Sequence, residues 1–344
     1  MKLDAIEELS TSVVIPVYLA EATTVQIQWL RRALESAQDQ TYPGKFEIIV
    51  VDDGSPTPVS EHAQALGASA AGVQWLRCPR NRGAVTALNV GLRAARYELI
   101  ARLDADDTWC DGKIEKQLAR FVADPDLTIV GTGMTRVDEH DAVIDQHIRP
   151  GDWNGILRFF VEVGCPFPHG SVVARADIYR LLGGYPYDAL YSHCEDFALW
   201  GSWLRFFKPA MIEESLYRYT VSKSSVSLIH QRSQARASGV VHARFRELDL
   251  PQRLPDALSA LSVALDVSIL EAGALAFAMH RHGASVSLPE AAIAPLQVVL
   301  GDRDVVRVDP RRRRATPASE LWLRAQHVAR APRNWVCISA TGAG

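Results

Sequence analysis

The chain has 344 residues, of which 48% are hydrophobic, and this is enough for one sizeable core with an appended region. Its formal net charge of -3 excludes the strongly basic surface of nucleic-acid-binding proteins, so we expect no nucleic-acid partner. The 5 cysteines are odd in number and form no C-x-x-C pair, which argues against a zinc ribbon or a disulfide framework and favours reduced thiols in a cytoplasm.

The first part of the chain alternates between strand-like and helical patterns. Residues 12–18 (SVVIPVY) and 46–51 (FEIIVV) are β-branched runs that predict buried strands, and a helix between them ends at the turn Tyr42-Pro43-Gly44. Further strands are predicted near 73–76, 98–103 and 127–130, and further helices over 83–95 and 114–122. This alternation predicts a parallel sheet with helices on both faces.

The alternation breaks down after about residue 150. Helices are predicted over 152–163, 176–182 and 195–206, and short strands near 171–174 and 215–219. Beyond about residue 228, Ala, Leu and Arg dominate, which predicts a helical C-terminal region. The longest apolar stretch there, 258–279, is interrupted by Asp266 and Glu271, so it predicts a buried or amphipathic helix and not a membrane span.

Acidic or aromatic residues follow three of the predicted strands. Tyr18 ends the first strand, Asp52 and Asp53 end the second, and the acidic loop Asp104-Ala105-Asp106-Asp107 follows the strand at 98–103. Because ligands of such sheets bind at the carboxyl ends of the strands, we expect these residues to line one site. An ordinary surface turn is the competing interpretation of each motif taken alone, since Asp, Gly and Ser favour turns.

Two carboxylates at positions i and i+2 after a strand suit a hard divalent cation. Magnesium and manganese prefer oxygen ligands, and such a cation stabilises the negative charge on a departing diphosphate. The acidic loop therefore predicts a metal site at a nucleotide diphosphate. A carboxylate of the Asp52-Asp53 turn can accept the hydrogen bond of a uracil ring N–H, and Gly54 permits close approach.

Five motifs resemble, in order and spacing, those of glycosyltransferase family 2. They are VVIPVY, VVDDGS, RNRGAVTALNVGLRAA, ARLDADDTW and CEDFALW, within roughly residues 12–225. The resemblance implies an α/β protein of the GT-A fold, a nucleotide-binding parallel or mixed sheet flanked by helices. It implies a domain over 1–225, with a donor half of about 1–130 and an acceptor half of about 131–225. A mainly helical region, 226–344, follows.

The resemblance implies an inverting glycosyltransferase that uses a nucleotide-sugar donor, most often UDP-linked, with manganese or magnesium. On the donor side, Asp53 resembles the carboxylate that reads the base, with Asp52 beside it. Pro16 and Tyr18 resemble the strand-end residues that flank the base. Arg82-Gly83 matches an element near the donor.

Further roles are implied at the reacting centre. Asp106 resembles the direct metal ligand, while Asp104 resembles a ribose or diphosphate contact and a second metal ligand. Asp196 resembles the catalytic base, because inversion requires a carboxylate to accept the proton of the attacking hydroxyl. Glu195 would position the acceptor or support Asp196. His169 either faces the donor or metal, or is a satisfied loop histidine.

Two other functions compete with this interpretation. A nucleotidyltransferase would carry a glycine-rich, lysine-bearing loop after the first strand, where this chain has Tyr18-Leu19-Ala20-Glu21. A non-catalytic nucleotide-sugar-binding module would make no use of Asp196 as a base.

The acceptor is left open between a saccharide, a lipid-linked glycan and another hydroxyl compound. We expect a cytoplasmic protein, because the acidic N-terminal residues do not resemble a signal peptide. Peripheral association with the inner face of the membrane and a homodimer through the C-terminal helices are left open. Arg311–Arg314 would attract anionic lipid or an acidic acceptor, or form a solvated loop.

Overall fold

The computed structural model describes residues 9–42, 44–222, 230–246, 253–282 and 288–301. The strands are β1 (Thr11–Val17), β2 (Phe46–Asp52), β3 (Val73–Arg77), β4 (Leu99–Arg102), β5 (Thr108–Trp109), β6 (Ile129–Val137), β7 (Val143–His147), β8 (Val173–Arg175) and β9 (Pro209–Thr220). The helices are α1 (Thr24–Gln38), α2 (Ala63–Leu66), α3 (Ala84–Ala94), α4 (Lys113–Ala123), α5 (Trp153–Glu162), α6 (Ala176–Leu182), α7 (Glu195–Phe206), α8 (Gln231–Arg246), α9 (Leu254–Leu265), α10 (Ile269–His282) and α11 (Glu290–Leu300).

The strands of the described residues form one mixed sheet in the order β3-β2-β1-β4-β8-β6-β9-β5, with β7 paired to β6. Strand β1 runs parallel to β2 and β4, and β2 runs parallel to β3, which confirms the parallel half predicted from the alternation. Strand β8 runs antiparallel to both β4 and β6, whereas β6 and β9 are parallel. The fold is therefore the parallel or mixed sheet flanked by helices that the motifs implied.

The continuous apolar runs of β1 and β2 are explained by burial on both faces of the sheet. Val13 and Ile15 point into the core beneath α1 and α4, whereas Val14 points into the opposite core, which includes α3. Successive side chains of a strand alternate between faces, so a strand covered on both sides is apolar throughout.

The C-terminal helices pack directly onto the core of the sheet. The apolar stretch predicted over 258–279 forms two helices, α9 and α10, because Asp266 adopts a left-handed conformation with φ of +55° at the break. Gly273 of α10 lies against the carbonyl group of Phe206 at the end of α7. The backbone N–H of Leu270 donates to the Asp126 carboxylate at 3.1 Å.

No single helix among the described residues is long and apolar enough to cross a membrane. Only α9 and α10 taken together reach that length and composition, and they meet at a bend of 99°. Leu258 and Leu261 of α9 and Ala276 of α10 are buried in the protein core.

The structure contains two strands that the sequence patterns did not predict, β5 and β7. Strand β5 has 2 residues, and β7 carries Val143 and Ile144 as exposed side chains, so neither has the apolar periodicity of a buried strand. The thiols of Cys78, Cys110, Cys165 and Cys194 are free. Cys337 and Arg311–Arg314 lie outside the described residues.

Candidate active site

The loops after β1 and β2 are joined at the carboxyl ends of their strands. The N–H of Leu19 donates to the Ser55 hydroxyl at 3.0 Å, and the N–H of Asp53 donates to the Val17 carbonyl at 2.8 Å. Tyr18 lies at this edge with 42% of its surface exposed, and Pro16, two residues earlier in β1, is half-buried. The structure thus places both predicted base-flanking residues beside the Asp52-Asp53 turn.

Asp52 and Asp53 are buried and bond to different parts of the edge. Asp52 accepts hydrogen bonds from its own turn and from the Arg77 guanidinium, the latter at 2.8 Å. Asp53 accepts from the backbone N–H groups of Arg82, at 3.1 Å, and Gly83, at 2.7 Å. Burial raises the pKa of Asp53 despite these bonds. Asp53 therefore fixes the loop that leads into α3, and a direct contact with a nucleobase stays a prediction.

The Arg82-Gly83 pair lies exposed at the beginning of α3. Gly83 has a φ of +89°, a conformation that side-chain-bearing residues rarely adopt. The backbone conformation at position 83 is therefore sufficient to explain why the motif has a glycine there, whether or not a ligand binds.

A buried arginine lies beneath the acidic loop. Arg102 is 5% exposed at the end of β4, forms an ion pair with Asp104, and has a buried Nε atom without a hydrogen-bond partner among the described residues. Burial acts to raise the pKa of Asp104, but the adjacent Arg102 charge outweighs it and holds that pKa below its ordinary value. The Tyr217 hydroxyl also donates to Asp104, at 3.3 Å. Asp104 is therefore ionised and held in place.

Asp107 connects the acidic loop to the far half of the sheet. Its carboxylate is fully buried and accepts hydrogen bonds from the Tyr217 hydroxyl and, at 2.6 Å, from the Thr220 N–H. Both partners belong to β9, more than a hundred residues along the chain. Asp107 is consequently an anchor of the loop.

Asp106 is half-buried, and no other described residue forms a hydrogen bond with its carboxylate. Burial and then the neighbouring Asp104 charge raise the pKa of Asp106 to about 7. Asp106 forms no ion pair with the described residues, and with Asp104 it offers hard oxygen ligands that suit manganese or magnesium. The described residues contain no cluster of three or more His, Cys, Asp or Glu side chains able to enclose a metal ion. A cation at this loop would therefore need further ligands from outside the described residues, such as a diphosphate and water.

The predicted base lies at the same site, although it comes from a distant part of the chain. Asp196 is in the first turn of α7, half-buried, with Glu195 beside it, and it interacts electrostatically with Arg102 and Asp104. Burial raises the pKa of Asp196 to about 6. The carboxylate is ionised at neutral pH and is a stronger base than an ordinary aspartate.

His169 also faces this site. Its Nε2 atom lies 2.7 Å from the Tyr185 hydroxyl, and its ring interacts with the charges of Arg102 and Asp104. Burial, assisted by the Arg102 charge, lowers the pKa of His169 well below its ordinary value, so the imidazole is neutral. His169 therefore has a hydrogen-bond partner within the protein and lies near the acidic loop, and a contact with the donor or metal stays a prediction.

Several residues of the site were missed by the sequence patterns. Asn89 holds the Tyr185 backbone by two hydrogen bonds of 2.9 Å, and Tyr185 in turn orients His169. Only Arg102 and Tyr217 gave any signal in the sequence, since Arg102 lies two residues before Asp104 and Tyr217 lies in a predicted strand. Their roles depend on contacts that no local pattern encodes.

Comparisons with known proteins agree with the motifs and the fold. The family described as "Glycosyl transferase family 2" matches residues 12–179. The chain is 30% identical over 216 residues to the glycosyltransferase EpsE of Bacillus subtilis (strain 168), whose name is a provisional assignment. The match covers 60% of this chain and 71% of EpsE. It is 31% identical over 174 residues to the amylovoran biosynthesis glycosyltransferase AmsE of Erwinia amylovora, covering 50% of this chain and 62% of AmsE.

A solved structure shares the fold. The mannosyltransferase PcManGT from Pyrobaculum calidifontis, in complex with GDP-Man and Mn2+, has a TM-score of 0.52 to this chain at 18% sequence identity. The match covers 93% of this chain and 80% of PcManGT. At this identity the likeness concerns the fold and not the substrate.

Proposed function

The chain belongs to glycosyltransferase family 2, and on that premise we propose that it moves a sugar from a nucleotide-sugar donor to an acceptor hydroxyl, with inversion, during glycan assembly. One observation carries the proposal. The Asp196 carboxylate, from the first turn of α7, lies within electrostatic reach of the Arg102–Asp104 pair at the end of β4. With the roles proposed here, the base and the diphosphate-binding residues would belong to one site.

The donor half of the reaction uses the edge formed by β1, β2 and β4. We assign Tyr18 and Pro16 to the base and Asp104 to the ribose or diphosphate, and the loop fixed by Asp53 brings Arg82 to the same edge. A UDP-sugar is the predicted donor. PcManGT was solved with GDP-Man, so GDP-sugars belong in the same test.

We assign manganese or magnesium to Asp106, with Asp104 as the second ligand, and the Mn2+ in the PcManGT structure supports this assignment. When bound, such a cation neutralises the charge that develops on the departing diphosphate. Arg102 adds a fixed positive charge beneath the same loop. Asp107 keeps the loop in place through its bonds to β9.

The acceptor half of the reaction uses Asp196 as general base. The acceptor oxygen bonds to the anomeric carbon from the face opposite the diphosphate, the bond from that carbon to the diphosphate oxygen breaks, and Asp196 takes the hydroxyl proton. One displacement of this kind inverts the anomeric centre. We assign Glu195, which directly precedes Asp196, to positioning the acceptor.

The test is a panel of UDP- and GDP-sugars incubated with the full chain, a mixed saccharide and lipid-linked acceptor extract, and manganese, magnesium or a chelator. Nucleoside diphosphate release and product mass are measured. We expect metal-dependent release with one donor, and its loss in Asp106→Ala and Asp196→Asn. Asp256→Asn is the matched control, because Asp256 is an exposed acid in the first turn of another helix, α9.

Other outcomes favour the competing functions. Pyrophosphate release from a nucleoside triphosphate would favour a nucleotidyltransferase, and nucleotide binding without transfer would favour a binding module. A cytoplasmic location, action at the inner face of the membrane and a homodimer through the C-terminal helices are further proposals of the same kind.

A further inference from the structure

Arg149 is a cation that the donor chemistry leaves unused. It lies between β7 and α5, is half-buried, and stacks its guanidinium over the Phe159 ring at 5.3 Å from the ring centroid. Its Nη1 atom is buried without a hydrogen-bond partner, and Arg149 has no ion pair within the described part of the chain.

The segment that carries Arg149 is anchored to β9. The N–H of Gly151 donates to the Glu213 carboxylate at 2.7 Å, and the Gly151 carbonyl accepts from the N–H of Met211 at 3.1 Å. With Phe159 under the guanidinium, both the backbone and the side chain are held. The cation is therefore prepositioned, which reduces the entropy lost when a ligand binds.

The surroundings of Arg149 place it on the side of the catalytic base. Its charge interacts with Asp196 and with the Cys165 thiol, whereas the charges of the acidic loop interact with Arg102. Burial lowers the pKa of the Arg149 guanidinium, as expected for a cation that no neighbour fully compensates. A half-buried cation with an unused donor is stabilised when an anion binds it.

We propose that Arg149 binds an anionic group of the acceptor, a phosphate or a carboxylate, and so places the acceptor hydroxyl beside Asp196. The planar guanidinium suits both anions because its N–H groups can donate two parallel hydrogen bonds. The inference rests on the proposed function, because it assigns Asp196 as the base and names the chemical class of the acceptor.

The test uses inorganic phosphate as the probe. The full chain is saturated with UDP or GDP and magnesium, so that the diphosphate position is filled, and phosphate is then titrated by calorimetry. We compare the wild type with Arg149→Gln, Arg149→Lys and Arg158→Gln. Arg158 is the matched control, because it is an exposed arginine of α5 next to Phe159.

We expect saturable phosphate binding that is weakened about tenfold or more in Arg149→Gln, since a charge-assisted hydrogen bond is lost. Arg149→Lys, which keeps the charge without the planar fork, should be intermediate, and Arg158→Gln should match the wild type. Equal phosphate affinity in the wild type and Arg149→Gln would overturn the proposal, and so would a wild type that binds no phosphate. Weaker nucleotide binding in Arg149→Gln, with phosphate binding unchanged, would assign the arginine to the donor instead.

A second arm separates this inference from the proposed function. Transfer is measured to one alcohol in phosphorylated and neutral forms, and Arg149→Gln should raise KM for the phosphorylated form far more than for the neutral form. Equal effects on both forms, with a shifted pH profile, would make Arg149 a positioning residue for Asp196. If no nucleotide sugar is consumed but phosphate binding still depends on Arg149, the proposed function fails while the anion site stands.

Discussion

The pH dependence of transfer should report the ionisation of Asp196. Burial raises the pKa of this carboxyl to about 6, and only the ionised form can accept the acceptor proton. The ionised fraction is then about 9% at pH 5 and about 91% at pH 7, so kcat should rise about tenfold across this interval. An aspartate with an ordinary pKa would be almost fully ionised at pH 5 and would give a nearly flat profile.

The assay is kcat measured from pH 5 to pH 8 with saturating donor, acceptor and metal at constant ionic strength. Asp196→Asn should lower kcat by about 10²–10⁴-fold and abolish the acidic limb. The variant should be at least as stable as the wild type at pH 8, because burial raises the folded-state pKa of Asp196 to about 6, so the ionised wild-type carboxylate disfavours folding above that pH and the neutral amide does not. Asparagine also retains the oxygen that accepts from the Phe197 N–H at 2.7 Å.

Two results would refute this reasoning. One is a flat kcat profile between pH 5 and pH 7 in the wild type, and the other is an acidic limb that survives in Asp196→Asn. Asp106, with a pKa of about 7, is a competing origin of such a limb. The two are separable, because cation binding moves an Asp106 limb to lower pH as the metal concentration increases, whereas an Asp196 limb stays in place.

Three further predictions concern stability. Asn89→Leu should cost about 2–4 kcal/mol in urea unfolding, because it leaves the buried N–H and C=O of Tyr185 without partners. Gly273→Ala should lower the free energy of unfolding by about 1–3 kcal/mol, since the added carbon collides with a backbone carbonyl, whereas Gly239→Ala in α8 has open space and should gain about 0.5–1 kcal/mol. Asp106→Asn should raise the melting temperature in chelator at pH 8 by a few degrees, because burial disfavours the ionised carboxylate.

Each of these predictions has an outcome that would contradict it. An unchanged urea midpoint in the Asn89 variant would mean that water replaces the amide. Equal stability changes in the two glycine variants would show that α10 has room to move. For Asp106, the gain must shrink as the pH falls from 8 towards 4, since the folded wild-type carboxyl becomes protonated below about pH 7 while the unfolded one stays largely ionised. A gain independent of pH would exclude the electrostatic cause.

The sequence predicted the elements whose burial leaves a periodic pattern. Helix α7 begins and ends at the predicted residues, and β1, β2 and β4 lie within one residue or two of the predicted runs. Strand β7 escaped prediction because its exposed residues pair at an edge of the sheet without an apolar face.

The site was predictable only in part, for a similar reason. Strand-end carboxylates are visible as local motifs, so Asp104 and Asp106 could be named in advance. The different surroundings of the loop carboxylates were not visible in the sequence. They depend on Tyr217, which bonds Asp107 across 110 positions of sequence, and on Arg102, whose burial follows from the whole sheet. Long-range contacts of this kind have no periodicity to reveal them.

Helix α7 connects Asp196 to the C-terminal helices. It has 12 residues and is about 18 Å long, with Asp196 in its first turn and Phe206 pressed against Gly273 of α10 in its last. Arg205 beside it donates to the Val299 carbonyl of α11 at 2.9 Å. The first turn of α7 thus carries Asp196, and its last turn contacts the C-terminal helices α10 and α11. A displacement of the C-terminal helices would therefore be expected to move Asp196, so a partner that binds those helices far from Asp196 could change the rate of the proposed transfer.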